Sequence, residues 1–209
     1  MTSQELSVIQ NFHNLYYYNL EGEGHIYGRT YWMNVQCLKC PLDLWIYQKM
    51  IAELRPDLII ETGTRYGGSA LFMAHMLDII GKGEVLTIDI EELPRPSHPR
   101  IRYVRGSSAD ADLIQSLMGN RPEEVRIVVL DSDHSKSHVL TELTLLSPFV
   151  SLGSYLVVED TNILADGPRQ AVEVFLSSCS DFVVDEAREK FLLTFNPNGY
   201  LKRIKPASS

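Results

Sequence analysis

The chain has 209 residues, of which 44% are hydrophobic and 22% charged, ordinary values for a soluble globular protein with one domain and a full core. Its formal net charge of -8 argues against general nucleic-acid binding, which wants a basic face. No apolar signal core opens the chain and no run approaches membrane length, so a cytoplasmic protein without a membrane partner is expected.

Residues 1 to 40 read as an aromatic-rich leader. Val8, Ile9, Phe12, Leu15 and Tyr16 fall near helical spacing, and Tyr16-Tyr17-Tyr18 follows. Glu21-Gly22-Glu23-Gly24 is a polar, flexible break, and Tyr27, Tyr31 and Trp32 come after it. Two readings stay open beside plain packing: a cover that closes over a ligand, or a surface that packs on another subunit of a homo-oligomer. Three cysteines, Cys37, Cys40 and Cys179, are too few for a disulfide framework. The Cys-x-x-Cys at 37–40 has no second pair to complete a zinc site, so an incidental or structural role is expected.

From residue 41 the pattern becomes regular. A helix over 41–54 is opened by Pro41, with apolar positions at 42, 45, 46, 50 and 54. The short apolar run Leu58-Ile59-Ile60 reads as a buried parallel strand ending in Glu61. Thr62, Gly63, Thr64 and Arg65 lead through Tyr66, Gly67 and Gly68 into a helix over 69–80, which Gly81 ends. Strands follow at 85–89, 100–104, 125–130 and 155–158, alternating with helices at 109–118, 135–146 and 168–178. Closing strands are read at 182–184, 191–195 and 200–204, with a turn at Asn196-Pro197-Asn198-Gly199 between the last two. This predicts an α/β fold, a Rossmann-like, doubly wound, mostly parallel seven-stranded sheet with an antiparallel C-terminal strand, as one domain over 41–209.

Ligands of such sheets sit at the carboxyl ends of the strands. The Glu61-x-Gly63-x-x-x-Gly67-Gly68 turn precedes a helix whose free amides point back at it. A dinucleotide fingerprint would carry a glycine where Arg65 stands, which argues against NAD and FAD. The acid-x-Gly-x-x-x-Gly form resembles the first motif of the Rossmann-like S-adenosylmethionine methyltransferases. A structural turn in another α/β protein is the alternative. Asp89, ending the second strand, fits a clamp for both ribose hydroxyls. Ser108 either lies beside the adenine or caps the next helix.

Asp131, Glu159 and Asp160 end the fourth and fifth strands, neighbours about 4.8 Å apart in the usual order. Carboxylates crowded on one edge are costly unless a cation is bound, and hard oxygen ligands favour Mg²⁺. A salt-bridged loop is the alternative. His134 is a candidate base, or else opens the next helix. His138 and Glu142 continue its four-residue stripe and read as a solvated helix face.

Five stretches carry a family resemblance: Pro41 to Trp45, Glu61 to Thr64, Leu130 to His134, Gly153 to Thr161, and Thr194 to Leu201. Across nearly the whole chain it resembles the cephalosporin hydroxylase family. Despite that name, the likeness implies a class I, S-adenosylmethionine- and Mg²⁺-dependent O-methyltransferase, of the kind that tailors antibiotics and sugars. The metal's placement is similar to that in catechol O-methyltransferase. By this resemblance Asp131, Glu159 and Asp160 hold Mg²⁺. Glu61, Gly63, Thr64, Gly67, Ser69, Asp89, Ser108 and Asp131 surround the cofactor, and the acceptor is a small-molecule hydroxyl; Asp131, with His134 if it is the base rather than a helix opener, is expected to serve catalysis. The leader and the 160–168 loop look short for the family, so the acceptor itself is not carried over.

A non-haem iron hydroxylase would need two histidines and a carboxylate. None of the six histidines has an acid two residues on. A non-catalytic subunit with the same fold is the other alternative.

Overall fold

The computed structural model describes residues 1–19, 25–118, 124–163 and 166–206. The 21–24 break and the last three residues lie outside these.

The first forty residues form helix α1 (Ser3–Phe12), a π-helical turn (His13–Tyr17), a 3-10 turn (Ile26–Arg29) and a small hairpin of β1 (Tyr31–Trp32) and β2 (Val35–Gln36). Thr2 and Glu5 make a reciprocal capping box on α1. Then come α2 (Pro41–Leu54), β3 (Leu58–Thr62), α3 (Gly68–Ile80), β4 (Glu84–Asp89), β5 (Ile101–Arg105) and α4 (Ala111–Met118). The chain continues with β6 (Arg126–Leu130), α5 (Lys136–Leu146), β7 (Tyr155–Val158), α6 (Pro168–Ser178), β8 (Phe182–Val184) and β9 (Tyr200–Arg203).

The main sheet has seven strands in the order β5-β4-β3-β6-β7-β9-β8. Strands β5 to β7 run parallel, and β9 is antiparallel to both its neighbours. Alternate residues of each strand feed opposite cores. Ile60, Ile88, Val128, Leu130 and Leu156 join the layer of α4, α5 and α6. Ile59, Val85, Ile127, Val129 and Val157 join that of α2 and α3. The doubly wound expectation holds.

Three local expectations fail. Residues 191–195 form no strand, because buried Asp43 captures the segment: Thr194 Oγ1 (2.5 Å) and the Phe195 amide (2.8 Å) donate to its carboxylate, as does Tyr200 Oη (2.8 Å). Those bonds replace a ladder. Helix α2 buries Asp43, Leu44, Ile46, Tyr47, Met50 and Ile51, whereas Trp45, expected inside, is 61% exposed. A buried polar network rotates the helix away from its simple apolar stripe. The α5 stripe is not a solvated face either, since Glu142 is fully buried.

Candidate active site at the carboxyl edge of the sheet

Strand register places the acids. The Asp131 amide donates to Thr62 O (3.1 Å), and the Glu159 amide to Leu130 O (2.9 Å), so both residues sit one rung beyond their ladders. Glu61 shares the side of Ile59, Asp131 that of Val129 and Glu159 that of Val157. Three carboxylates thus meet on the face covered by α2 and α3. Asp160 would point to the opposite face in extended backbone, but it adopts a left-handed conformation (φ 56°), with its amide donating to Asn196 Oδ1 at 3.0 Å. Strain of this kind at a non-glycine residue clusters at functional sites.

Lys39, which the sequence reading passed over, lies among the acids. It is fully buried, with Nζ 2.6 Å from Asp131 Oδ2 and 3.1 Å from Glu159 Oε1. Burial alone would lower its pKa, but Asp131, Glu159 and Glu61 outweigh it and hold the ammonium protonated. Cys37 and Cys40, both buried, flank it. Burial pushes each thiol up to about 12, which makes them apolar anchors rather than metal or redox thiols.

His134 makes a second bridge, with Nε2 3.4 Å from Asp131 Oδ1 and 3.3 Å from Asp160 Oδ2. Burial opposes its charge, yet the two acids raise its pKa to about 9. Burial, reinforced by Asp131 and Glu159, raises Asp160 to about 7 even with His134 beside it. Asp131, by contrast, is held low against burial by Lys39 and His134. Negative charge at Asp160 is therefore under-compensated by the protein's own groups. Asp131, His134 and Asp160 each offer a ligand atom, all within 4.8 Å of one another. Two aspartates in this geometry fit a hard divalent cation. Glu159 does not share that cluster: it faces the other way, accepting from Tyr47 Oη and Lys39.

A cavity of about 450 Å³ opens beside this group. Of the residues singled out in the sequence, Gly63, Thr64, Ser69, Asp89, Ser108, Asp131, His134 and Asp160 line it. Glu61 and Gly67 do not. Glu61 sits one residue inside β3 rather than at its end. It braces the turn from behind, accepting from Ser69 Oγ and, at 2.7 Å, from Thr87 Oγ1. Gly63 is required by packing: its φ is +83°, and a Cβ would lie 1.8 Å from the Asp131 carbonyl oxygen. Asp89 accepts from the amides of Arg65 (2.7 Å) and Glu91 (2.9 Å), one on each oxygen. A carboxylate has lone pairs left for ribose hydroxyls after two such bonds.

Ser108 does not cap α4. Asp110 does, accepting from the amides of Asp112 and Leu113. Ser108 Oγ instead lies 3.2 Å from His138 Nε2, which pairs with Glu142 Oε1 at 3.6 Å. Tyr17 and Tyr27, also on the cavity wall, stack with centroids 5.1 Å apart, and each meets Phe195 edge-on. Burial, with Asp160 nearby, raises both phenol pKa values and keeps their protons on.

The strand order and the pocket at the sheet's carboxyl edge define a class I methyltransferase fold. The chain belongs to the Rhamnosyl O-methyltransferase/CmcI family, whose model matches residues 25–204. It is 40% identical to a rhamnosyl O-methyltransferase of Mycobacterium bovis, over 94% of this chain and 85% of that protein. It is 38% identical to one of Mycobacterium leprae, over 94% and 91%. Its fold is similar to that of a solved CmcI structure described as a Mg-SAM complex, with 20% identity and a TM-score of 0.69 over 88% of this chain and 81% of that one. No helix among the described residues is long and apolar enough to cross a membrane.

Proposed function

We propose that this chain is an S-adenosylmethionine-dependent, Mg²⁺-assisted O-methyltransferase acting on a hydroxyl of a small-molecule sugar or a related natural-product intermediate. One observation carries the reading: a single cavity joins the Asp89 clamp to the Asp131–His134–Asp160 group. Donor and acceptor oxygen can then be held close and aligned, the main requirement of an in-line displacement.

In this reading Asp89 holds the ribose, Ser108 and His138 line the adenine end, and the α3 amino terminus closes the donor site. Asp131 and Asp160 would hold Mg²⁺, with Glu159, here paired with Lys39, as the third acid of the set. A divalent ion held there would supply Lewis acidity, lowering the pKa of an acceptor hydroxyl bound beside Asp160. His134, charged near neutrality between its two acids, is a base only once a cation takes those acids over. Residues 1–40 cover the 41–209 domain, with Tyr17 and Tyr27 offering a flat wall beside Asp160 for the apolar face of a sugar ring. The rhamnosyl enzymes named above support the sugar class. One histidine and two aspartates is not the two-histidine, one-carboxylate set of an iron hydroxylase.

Calorimetric titration of the full chain with S-adenosylmethionine and with NAD tests the donor. Saturable binding of the first and none of the second is expected. NAD binding in its place contradicts the reading.

A further inference from the structure

Lys39 bridges two of the three acids assigned above to the cation, and it does so while fully buried. Its position is fixed by more than charge. The Cys37 amide donates to Thr30 O (2.8 Å) and the Lys39 amide to Cys37 O (2.8 Å). The preceding residue packs so closely on α3 that a Cβ at Gly68 would lie 2.2 Å from Gln36 O. Cys37 and Cys40 are each 1% exposed and point the segment inward. The Lys39 side chain also reaches the cavity wall.

The oxygens of Asp131 are divided. Oδ2 faces Lys39, and Oδ1 faces His134 on the Asp160 side. Glu159 Oε1 is held by Lys39 and Tyr47. A divalent cation that uses Asp131, Asp160 and Glu159 must therefore share or take the oxygens that the ammonium already neutralises. Without any cation, the Asp131 and Glu159 oxygens that Lys39 now neutralises would be left unpaired on one buried face.

We propose that Lys39 is a resident counter-ion of this site: it neutralises Asp131 and Glu159 in the metal-free protein and competes with the divalent cation for them. It is a positioning residue, acting through the acids. It keeps the site folded without metal and sets how tightly metal is held. The inference rests on the cation site of the proposed function. Its consequence is an opposition between two measurable quantities. Removing the ammonium weakens the metal-free fold and strengthens metal binding, whereas a merely structural lysine would weaken both or leave binding unchanged.

The test is titration of the full-length wild type and Lys39→Met with MgCl₂ by calorimetry, without donor, joined to urea unfolding at rising Mg²⁺. Wild type should bind one Mg²⁺. Lys39→Met should bind it about tenfold tighter or more, since a competing unit charge about 3 Å away is gone. It should be less stable than wild type in chelator and regain that deficit as Mg²⁺ rises. Equal or weaker Mg²⁺ affinity in Lys39→Met overturns the proposal, as does a variant that stays unfolded at saturating Mg²⁺. Wild type that binds no Mg²⁺ at all removes the cation site itself, and that result is separable because it appears before the variant is compared.

Discussion

Asp89 and His138 show how single residues divide the labour of the cavity. Asp89 is positioned by two backbone amides and keeps capacity for a diol. Asp89→Ala should weaken S-adenosylmethionine binding by about 1.5–3 kcal/mol, the range for hydrogen bonds to a charged group. Unchanged affinity by calorimetry would show that the ribose lies elsewhere. His138 has its pKa raised mainly by the Glu142 carboxylate 3.6 Å away, against burial. A histidine bound more tightly to its proton when folded adds stability that is complete below its unfolded pKa. That stability is lost as pH rises through the folded value. The melting temperature of wild type should therefore fall more between about pH 6 and about pH 9 than that of His138→Gln, with the loss beginning above about 6.5. Parallel pH profiles would disprove the pairing.

At the scale of elements, the turn before β9 holds the site in shape. Asp43 on α2 gathers Thr194, Phe195 and Tyr200, and Asn196 in the same turn fixes the left-handed Asp160. Asp43→Ala would leave three buried donors unpaired, at a cost of about 3 kcal/mol or more in urea unfolding. It should also weaken Mg²⁺ binding, because Asp160 loses its frame; a stability loss below about 1 kcal/mol would refute the network. Strand and helix periods made most of this fold legible: the apolar runs of β3, β6 and β7 and the Pro and Gly punctuation of α2, α3 and α6 fall where the structure puts them. The Thr194–Phe195 segment reads as a strand because its apolar and β-branched residues have no local mark of Asp43, 151 residues away. Acids at strand ends disclosed the site, but not how it is shared. Side-chain alternation puts Glu159 on the Lys39 side and backbone strain brings Asp160 round, and neither is written in local pattern. Lys39 was hidden because the acids it pairs with, Asp131 and Glu159, lie far from it in sequence.

At the scale of the whole molecule, acidic and aromatic side chains share the cavity wall at the carboxyl edge of the sheet. The leader contributes Tyr17 and Tyr27 to the cavity, while no residue of α1 is buried and Leu6 and Val8 are 55% and 46% exposed. Tyr17→Ala with Tyr27→Ala should raise the acceptor KM and leave donor affinity unchanged, whereas a weakened donor would place these rings on the cofactor side. The exposed α1 face fits self-association, so light scattering should give a mass above the 23.7 kDa of one chain, and a monomer at all concentrations rules that out.

In the proposed reaction one cavity brings donor, cation and sugar hydroxyl together. Its most direct test is transfer of labelled methyl from S-adenosylmethionine to methyl α-L-rhamnoside, in Mg²⁺ and in chelator, for wild type and Asp160→Asn. Wild type should transfer methyl in Mg²⁺. Transfer should fall about a hundredfold or more in chelator and in Asp160→Asn, with donor affinity largely kept, since a cation acting on the developing alkoxide would contribute several kcal/mol to the transition state. Undiminished transfer in chelator, or full activity of Asp160→Asn, would contradict it.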